Sequence, residues 1–183
     1  MPDEAKLERT ETGLVPADDG WFVVNLAEIG WDRVEGGGTW CSFEAPSSRS
    51  PLLGIGVHVL WPGETPGKYH AESNQEGFLV LSGECIAVVE GEERPMRQWD
   101  YLHCPPGTAH ITVGAGEGPC ALLMVGTRAP GATIHYPVEP AAARHGASVE
   151  TATDSAKEAY AGRQPIEPAA SPWPLEVRRD RES

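Results

Sequence analysis

Between residues 55 and 126 the chain is a succession of short apolar runs, each closed by glycine or proline. The runs cover 55–61, 78–81, 84–90, 99–104, 110–113 and 121–125, and their stops include Pro62-Gly63, Ser82-Gly83, Gly91, Pro105-Pro106-Gly107, Gly114 and Gly126. Segments of this length, rich in Val, Ile, Leu and aromatics, read as strands. Six of them in about 72 residues leave no room for crossover helices, so neighbours must be largely antiparallel, as in an all-β sandwich or barrel. Glu90-Gly91-Glu92 and the glycine-rich stretch 114–118 read as hairpin turns. Upstream, 21–24 and 39–43 are strand-like and Gly36-Gly37-Gly38 marks a turn, while 46–51 reads as a loop.

The flanks follow other patterns. Residues 1–20 are polar and aperiodic and predict a flexible N-terminal arm. After Arg128 the signals turn helical: Pro140 suits a first helical position and Gly146 a stop. Ser155 and Glu158 have capping-box spacing, with Gly162 as the terminator. Pro165, Pro168, Pro172 and Pro174 then resist regular structure, and Trp173 among them is expected to dock on the barrel or on a neighbouring subunit. The organisation expected is an arm (1–20), a barrel (21–128, with its core at 55–126) and a helical and extended tail (129–183).

Composition narrows the function classes. The 183 residues carry 14 basic and 27 acidic side chains, a net charge of −13, and 40% are hydrophobic. A chain of this size can bury a true core. The acidic balance disfavours phosphate backbones and anionic lipid, so neither a nucleic acid nor a membrane is expected as partner. The one basic run, Arg178-Arg179-Asp180-Arg181, reads as a solvated tail. Without an export-signal pattern at its start or a run of about 20 apolar residues, the chain is expected in the cytoplasm. Cys41, Cys85, Cys104 and Cys120 form no C-x-x-C pair and are expected as buried thiols, a Cys104–Cys120 bridge being the alternative.

The chemistry concentrates in the strand-rich middle. His70 and Glu72 share one strand face by the period of two, Glu76 opens the next strand, and His110 begins a strand distant in sequence. Two imidazoles and one or two carboxylates converging inside a barrel suit a borderline divalent ion: Fe, Mn, Ni or Zn. The residues leave two triads open, His70/Glu76/His110 and His70/Glu72/His110. Around them, His58 is expected inside the barrel, as a hydrogen-bonded core histidine or a ligand contact. His103, Lys68 and Tyr69 are further ligand-pocket candidates, and Gln75 would replace Glu76 as the inward group if the register slipped by one. His135 and His145 lack acids at ligand spacing and are expected at the surface. Trp21, Trp31 and Trp40 are expected in the core or at a dimer contact.

These residues resemble the two motifs of the cupin superfamily. In the first motif, His70, Glu76 and Gly83 match with the family's gaps; in the second, Pro105, Gly107 and His110 match. Four positions depart: Glu72 replaces a motif histidine, Gly63 stands one residue too far from His70, Trp99 replaces an opening glycine, and Gly114 replaces an asparagine. The resemblance implies a cupin jelly-roll β-barrel with short C-terminal helices. It further implies one divalent metal and a small organic ligand in the barrel, and often a homodimer. Metal-dependent dioxygenase and isomerase activities are both implied, with a non-catalytic sensing or binding cupin as the alternative.

Overall fold

The computed structural model describes residues 3–44 and 49–175. The Arg178–Arg181 run and part of the 46–51 loop lie outside the described residues. Among the described residues, fourteen strands and two short helices follow in chain order: β1 (Leu7–Arg9), β2 (Leu14–Pro16), β3 (Trp31–Val34), β4 (Gly38–Ser42), β5 (Leu53–Leu60), β6 (His70–Glu72), β7 (Glu76–Ser82), β8 (Glu84–Val89), β9 (Glu92–Arg97), β10 (Tyr101–Cys104), β11 (Ala109–Ala115), β12 (Cys120–Thr127), β13 (Ile134–His135), α1 (Pro140–Ala143), α2 (Ala156–Ala159) and β14 (Glu167–Ala169).

Two sheets face each other. One has the order β10-β7-β12-β5-β4-β3-β14 and the other β13-β6-β11-β8-β9, with every strand pair antiparallel. From β5 to β12 the chain changes sheet at every step except between β8 and β9. That alternation closes the all-β jelly roll around an interior core of Leu60, Val80, Cys85, Ala87, Met96, Cys120 and Leu122. Period-two alternation sends Val57, Val59 and Ala121 to the outer face of the larger sheet, where Ile29, Trp31 and Trp173 cover them. Trp173 thus docks on its own barrel. On the outside of the smaller sheet, Ala141 and Ala142 of α1 pack with Tyr69, Val88 and Ile111.

Local chemistry explains the turns and caps. Glu90 and Gly91 join β8 to β9 with φ of 48° and 78°, the two positive values that a two-residue hairpin turn requires. Glu139 caps α1 ahead of Pro140, and Ser155 Oγ accepts from Glu158 N at α2, with Gly146 and Gly162 at positive φ beyond the helices.

Several expectations need correction. The stretch 114–118 is not a hairpin turn: β11 and β12 belong to different sheets, so it arches between them. The 21–24 run forms no strand, Trp21 making one isolated bridge to Glu4, and the strand is Trp31–Val34. Within the supposed arm, β1 and β2 pair as a hairpin and Ala5 N donates to Trp21 O at 2.9 Å. Trp99 sits at φ 76° in a turn, so its strand begins at Tyr101. Finally, β9 has only Met96 buried among Glu92, Glu93, Arg94, Pro95 and Arg97. A charged edge strand carrying proline has no apolar alternation to betray it. All four cysteines are free and buried, so no Cys104–Cys120 bridge exists.

Candidate metal centre

The smaller sheet supplies both imidazoles. β6 and β11 pair with His70 directly opposite His110, and the ring centroids are 5.1 Å apart. Each ring is aimed by the main chain two residues upstream: His70 Nδ1 donates to Lys68 O at 2.7 Å and His110 Nδ1 to Thr108 O at 3.0 Å. With Nδ1 committed, Nε2 of both rings faces the barrel interior, the arrangement by which a carbonyl fixes the tautomer of a metal-ligating histidine. Phe78 backs the His110 ring at 5.0 Å.

The larger sheet supplies the carboxylate. Glu76, at the start of β7, places Oε2 3.3 Å from His110 Nε2 and 3.8 Å from His70 Nε2. Ligand atoms of these three residues all lie within 4.8 Å of one another. A metal about 2.0–2.2 Å from each nitrogen and oxygen needs ligand atoms about 3–3.5 Å apart, close to what is present. Glu76 Oε2 and His110 Nε2 are, moreover, buried without a well-formed hydrogen bond, although buried polar atoms are nearly always satisfied. The donor set therefore fits a divalent ion. Glu72 stands aside with Oε1 3.8 Å from His70 Nε2, its other oxygen accepting from Asn74 at 3.4 Å, and its side chain more exposed than that of Glu76. Of the two triads left open by sequence, His70/Glu76/His110 is the one drawn together.

Electrostatics follow from the same contacts. Burial raises the Glu76 pKa, but the approaching imidazoles of His110 and His70 overcome it and hold the carboxyl down at about 2. Burial also works against charge on His110; Cys104 and Glu76 outweigh it and lift the imidazole to about 10. Without metal, Glu76 and His110 thus form an ion pair bridging the two sheets.

The other candidates fall differently. His58 faces the interior, stacked on Trp40 at 5.9 Å, and burial, followed by the Arg163 charge, lowers its pKa to about 4. Its Nδ1 is buried with no partner, so the expected satisfied core histidine is not what the fold contains. Register places it opposite Leu122, whereas Glu76 lies opposite Gly126, four residues along β12 and about 13 Å away at roughly 3.3 Å per residue. His103 lies outside the barrel, exposed and stacked on Tyr101 at 6.4 Å. Tyr69 is not in the pocket: it is buried against α1 and its hydroxyl accepts from Gly91 N at 3.1 Å. Gln75 is exposed in the turn, leaving Glu76 as the inward group. Lys68 Nζ reaches Gly146 O at 2.9 Å. His135 and His145 pair with Asp154 and Glu93, away from the centre.

Sequence reasoning missed three residues here. Thr112, two positions beyond His110 on the same face, has a buried hydroxyl without a partner. Tyr136 packs on His70 with centroids 5.8 Å apart, and Tyr160 meets Tyr136 edge-on at 5.8 Å. Burial, then Tyr160, pushes the Tyr136 phenol well above its usual range. Thr112 was findable from strand parity. The tyrosines were not, because they arrive from a segment without strand periodicity.

Residues 56–126 match the family described as the cupin domain. This part of the chain belongs to the cupin superfamily. The chain is 31% identical over 86 residues to a glucose-6-phosphate isomerase of Pyrococcus horikoshii, an alignment covering 40% of this chain and 46% of that one. It spans about half the length of the curated relatives it matches. Among solved structures, a cupin-superfamily sugar phosphate isomerase from Silicibacter pomeroyi is 27% identical with a TM-score of 0.50, covering 55% of this chain and 66% of that one. A cupin 2 conserved barrel domain protein from Salinispora arenicola is 20% identical with a TM-score of 0.46, covering 60% and 88%. Among the described residues no helix is long and apolar enough to cross a membrane.

Proposed function

We propose that this cupin is a metal-dependent isomerase of a small phosphorylated sugar, with His70, Glu76 and His110 as metal ligands. The carrying observation is the pair of buried, unsatisfied atoms Glu76 Oε2 and His110 Nε2 beside His70 Nε2. A divalent metal bound there supplies Lewis-acid polarisation of a substrate carbonyl. The similarity to isomerases in Pyrococcus and Silicibacter favours an aldose–ketose interconversion over other cupin reactions.

The chain's own residues account for the proton chemistry. Aldose–ketose exchange takes a proton from the carbon beside the carbonyl and delivers one to the carbonyl carbon, while the neighbouring hydroxyl's proton passes to the old carbonyl oxygen, with no net oxidation. Glu72 is the group for this: an acid beside His70, outside the tight ligand cluster and reachable from solvent. Thr112 Oγ1 and His58 Nδ1 offer neutral hydrogen-bonding partners to sugar hydroxyls deeper in the barrel. Tyr136 covers His70 and limits water at the centre.

The test is metal analysis of untagged protein followed by an NMR assay of hexose 6-phosphate interconversion. Stoichiometric metal with turnover that disappears in His70→Ala supports the reading. Turnover that survives complete metal removal sinks it. A second reading, a non-catalytic binding cupin, is favoured by Glu72 standing where the family motif has histidine; it predicts metal and ligand binding with no product. Oxygen uptake with an added catechol or thiol would point instead to the dioxygenase branch.

A further inference from the structure

Behind the tyrosine pair lies a second feature that the metal centre does not use. Tyr160 Oη accepts from Lys68 N at 3.1 Å, and on the far side of its ring a cleft of about 300 Å³ opens, lined by Glu35, Gly37, Lys68, Tyr160 and Arg163 among others. Both cations in this cleft lack an acidic partner among the described residues. Arg33, Arg94, Arg128 and Arg144 are each paired with a glutamate, whereas Lys68 and Arg163, like Arg9 and Arg97, keep their charge uncompensated by a contact carboxylate.

The two cations are also held in place. The Arg163 guanidinium lies over the Tyr160 ring, 4.9 Å from its centroid, and reaches Pro66 O at 3.4 Å. Its other flank rests against Gly37, where an added Cβ would stand 2.9 Å from Nη2 and closer still to Val34 Cγ1, so a side chain there would displace the guanidinium slightly. Lys68 Nζ donates to Gly146 O at 2.9 Å and keeps two further N–H donors. Glu35 is the acid lining the cleft and is itself exposed. A fixed guanidinium with uncommitted donors beside an ammonium is suited to a compact oxyanion, which accepts from both.

We infer that the cleft formed by Lys68, Arg163 and Tyr160 binds a phosphate group, either as the monoester of the sugar ligand or as free phosphate. The inference rests on the sugar-phosphate reading for its choice of anion. The tyrosine pair separates the cleft from the metal centre, so phosphate bound there is read independently of the metal.

The experiment is a ¹H–¹⁵N NMR titration of the full, EDTA-treated chain, with metal content of the untreated sample measured separately. Inorganic phosphate is expected to shift the amides of Gly37, Lys68 and Arg163 saturably. Arg163→Gln and Lys68→Met are each expected to weaken it about tenfold or more, and Glu35→Gln to tighten it severalfold. Hexose 6-phosphate binding more tightly than inorganic phosphate identifies the monoester as the ligand; equal affinity identifies free phosphate. Unphosphorylated hexose should leave these amides unmoved. Shifts confined to other residues, or an Arg163→Gln protein that binds phosphate like the wild type, overturn the inference. Metal content unchanged in the variants keeps that failure distinct from failure of the metal centre.

Discussion

Glu76 and His110 meet across the two sheets of the barrel, Oε2 to Nε2 at 3.3 Å, each buried and without another well-formed partner for that atom. Charge, burial and proximity converge on this one contact. Changes at either residue should therefore be read first in metal content.

His70→Ala, Glu76→Ala and His110→Ala should each lower bound metal by tenfold or more, since removing one of three ligands leaves an incomplete set. Glu72→Ala should keep its metal and lose turnover. Elemental analysis of dialysed protein beside the isomerase assay separates these outcomes. Metal loss from Glu72→Ala alone would transfer the ligand role to Glu72.

Metal binding should strengthen with pH. His110, lifted to about 10, must give up its proton to coordinate, whereas Glu76, held at about 2, is already ionised. Binding thus releases one proton throughout the neutral range, and affinity should rise about tenfold per pH unit. Dissociation constants measured by competition with a chelator at three pH values from 6.5 to 8.5 test the slope, and a flat profile would contradict it.

His58 makes an acid-side prediction with the opposite burden. Its folded pKa of about 4 lies below the usual 6.5, owing to burial and then Arg163. The unfolded chain takes up the proton first as pH falls, so stability is full above pH 6.5 and declines towards pH 4, by about 3 kcal/mol for a shift of this size. Urea unfolding of the wild type and His58→Asn at pH 7 and pH 4.5 should show the variant losing distinctly less. Parallel losses in both proteins would remove His58 as the cause.

Gly114 accounts for one departure from the family motif. Its N–H and C=O pair with Glu64 O and Gly63 N at 2.9 and 2.8 Å, and a Cβ there would strike the Trp61 carbonyl. Gly114→Ala should destabilise the fold by about 2 kcal/mol or more, because the obstacle is backbone and cannot swing aside. Thermal unfolding monitored by circular dichroism measures this, and a change below about 0.5 kcal/mol would mean the crossing at Trp61 can relax.

Much of this barrel was readable from residues alone, for identifiable reasons. β5, β7, β8 and β12 bury one or both faces and so carry dense apolar runs, and His70, Glu76 and His110 sit at spacings that two-residue alternation brings inside. Choosing Glu76 over Glu72 was beyond that reading, because both acids lie near His70 and only the facing of β7 against β6 brings Glu76 to His110 as well. His103 was misplaced because Leu102 rather than His103 shares the inward parity of Cys104 on β10. Tyr136 and Tyr160 were invisible, since their positions depend on how the chain returns after β13.

Both ligand rings take their aim from peptide carbonyls at positions 68 and 108, not from side chains. What stands at those two positions is therefore open to revision: a different residue at 68 would change the charge of the cleft next door while the imidazole beyond it keeps pointing the same way. The rings' aim is thus insulated from the side-chain chemistry around them.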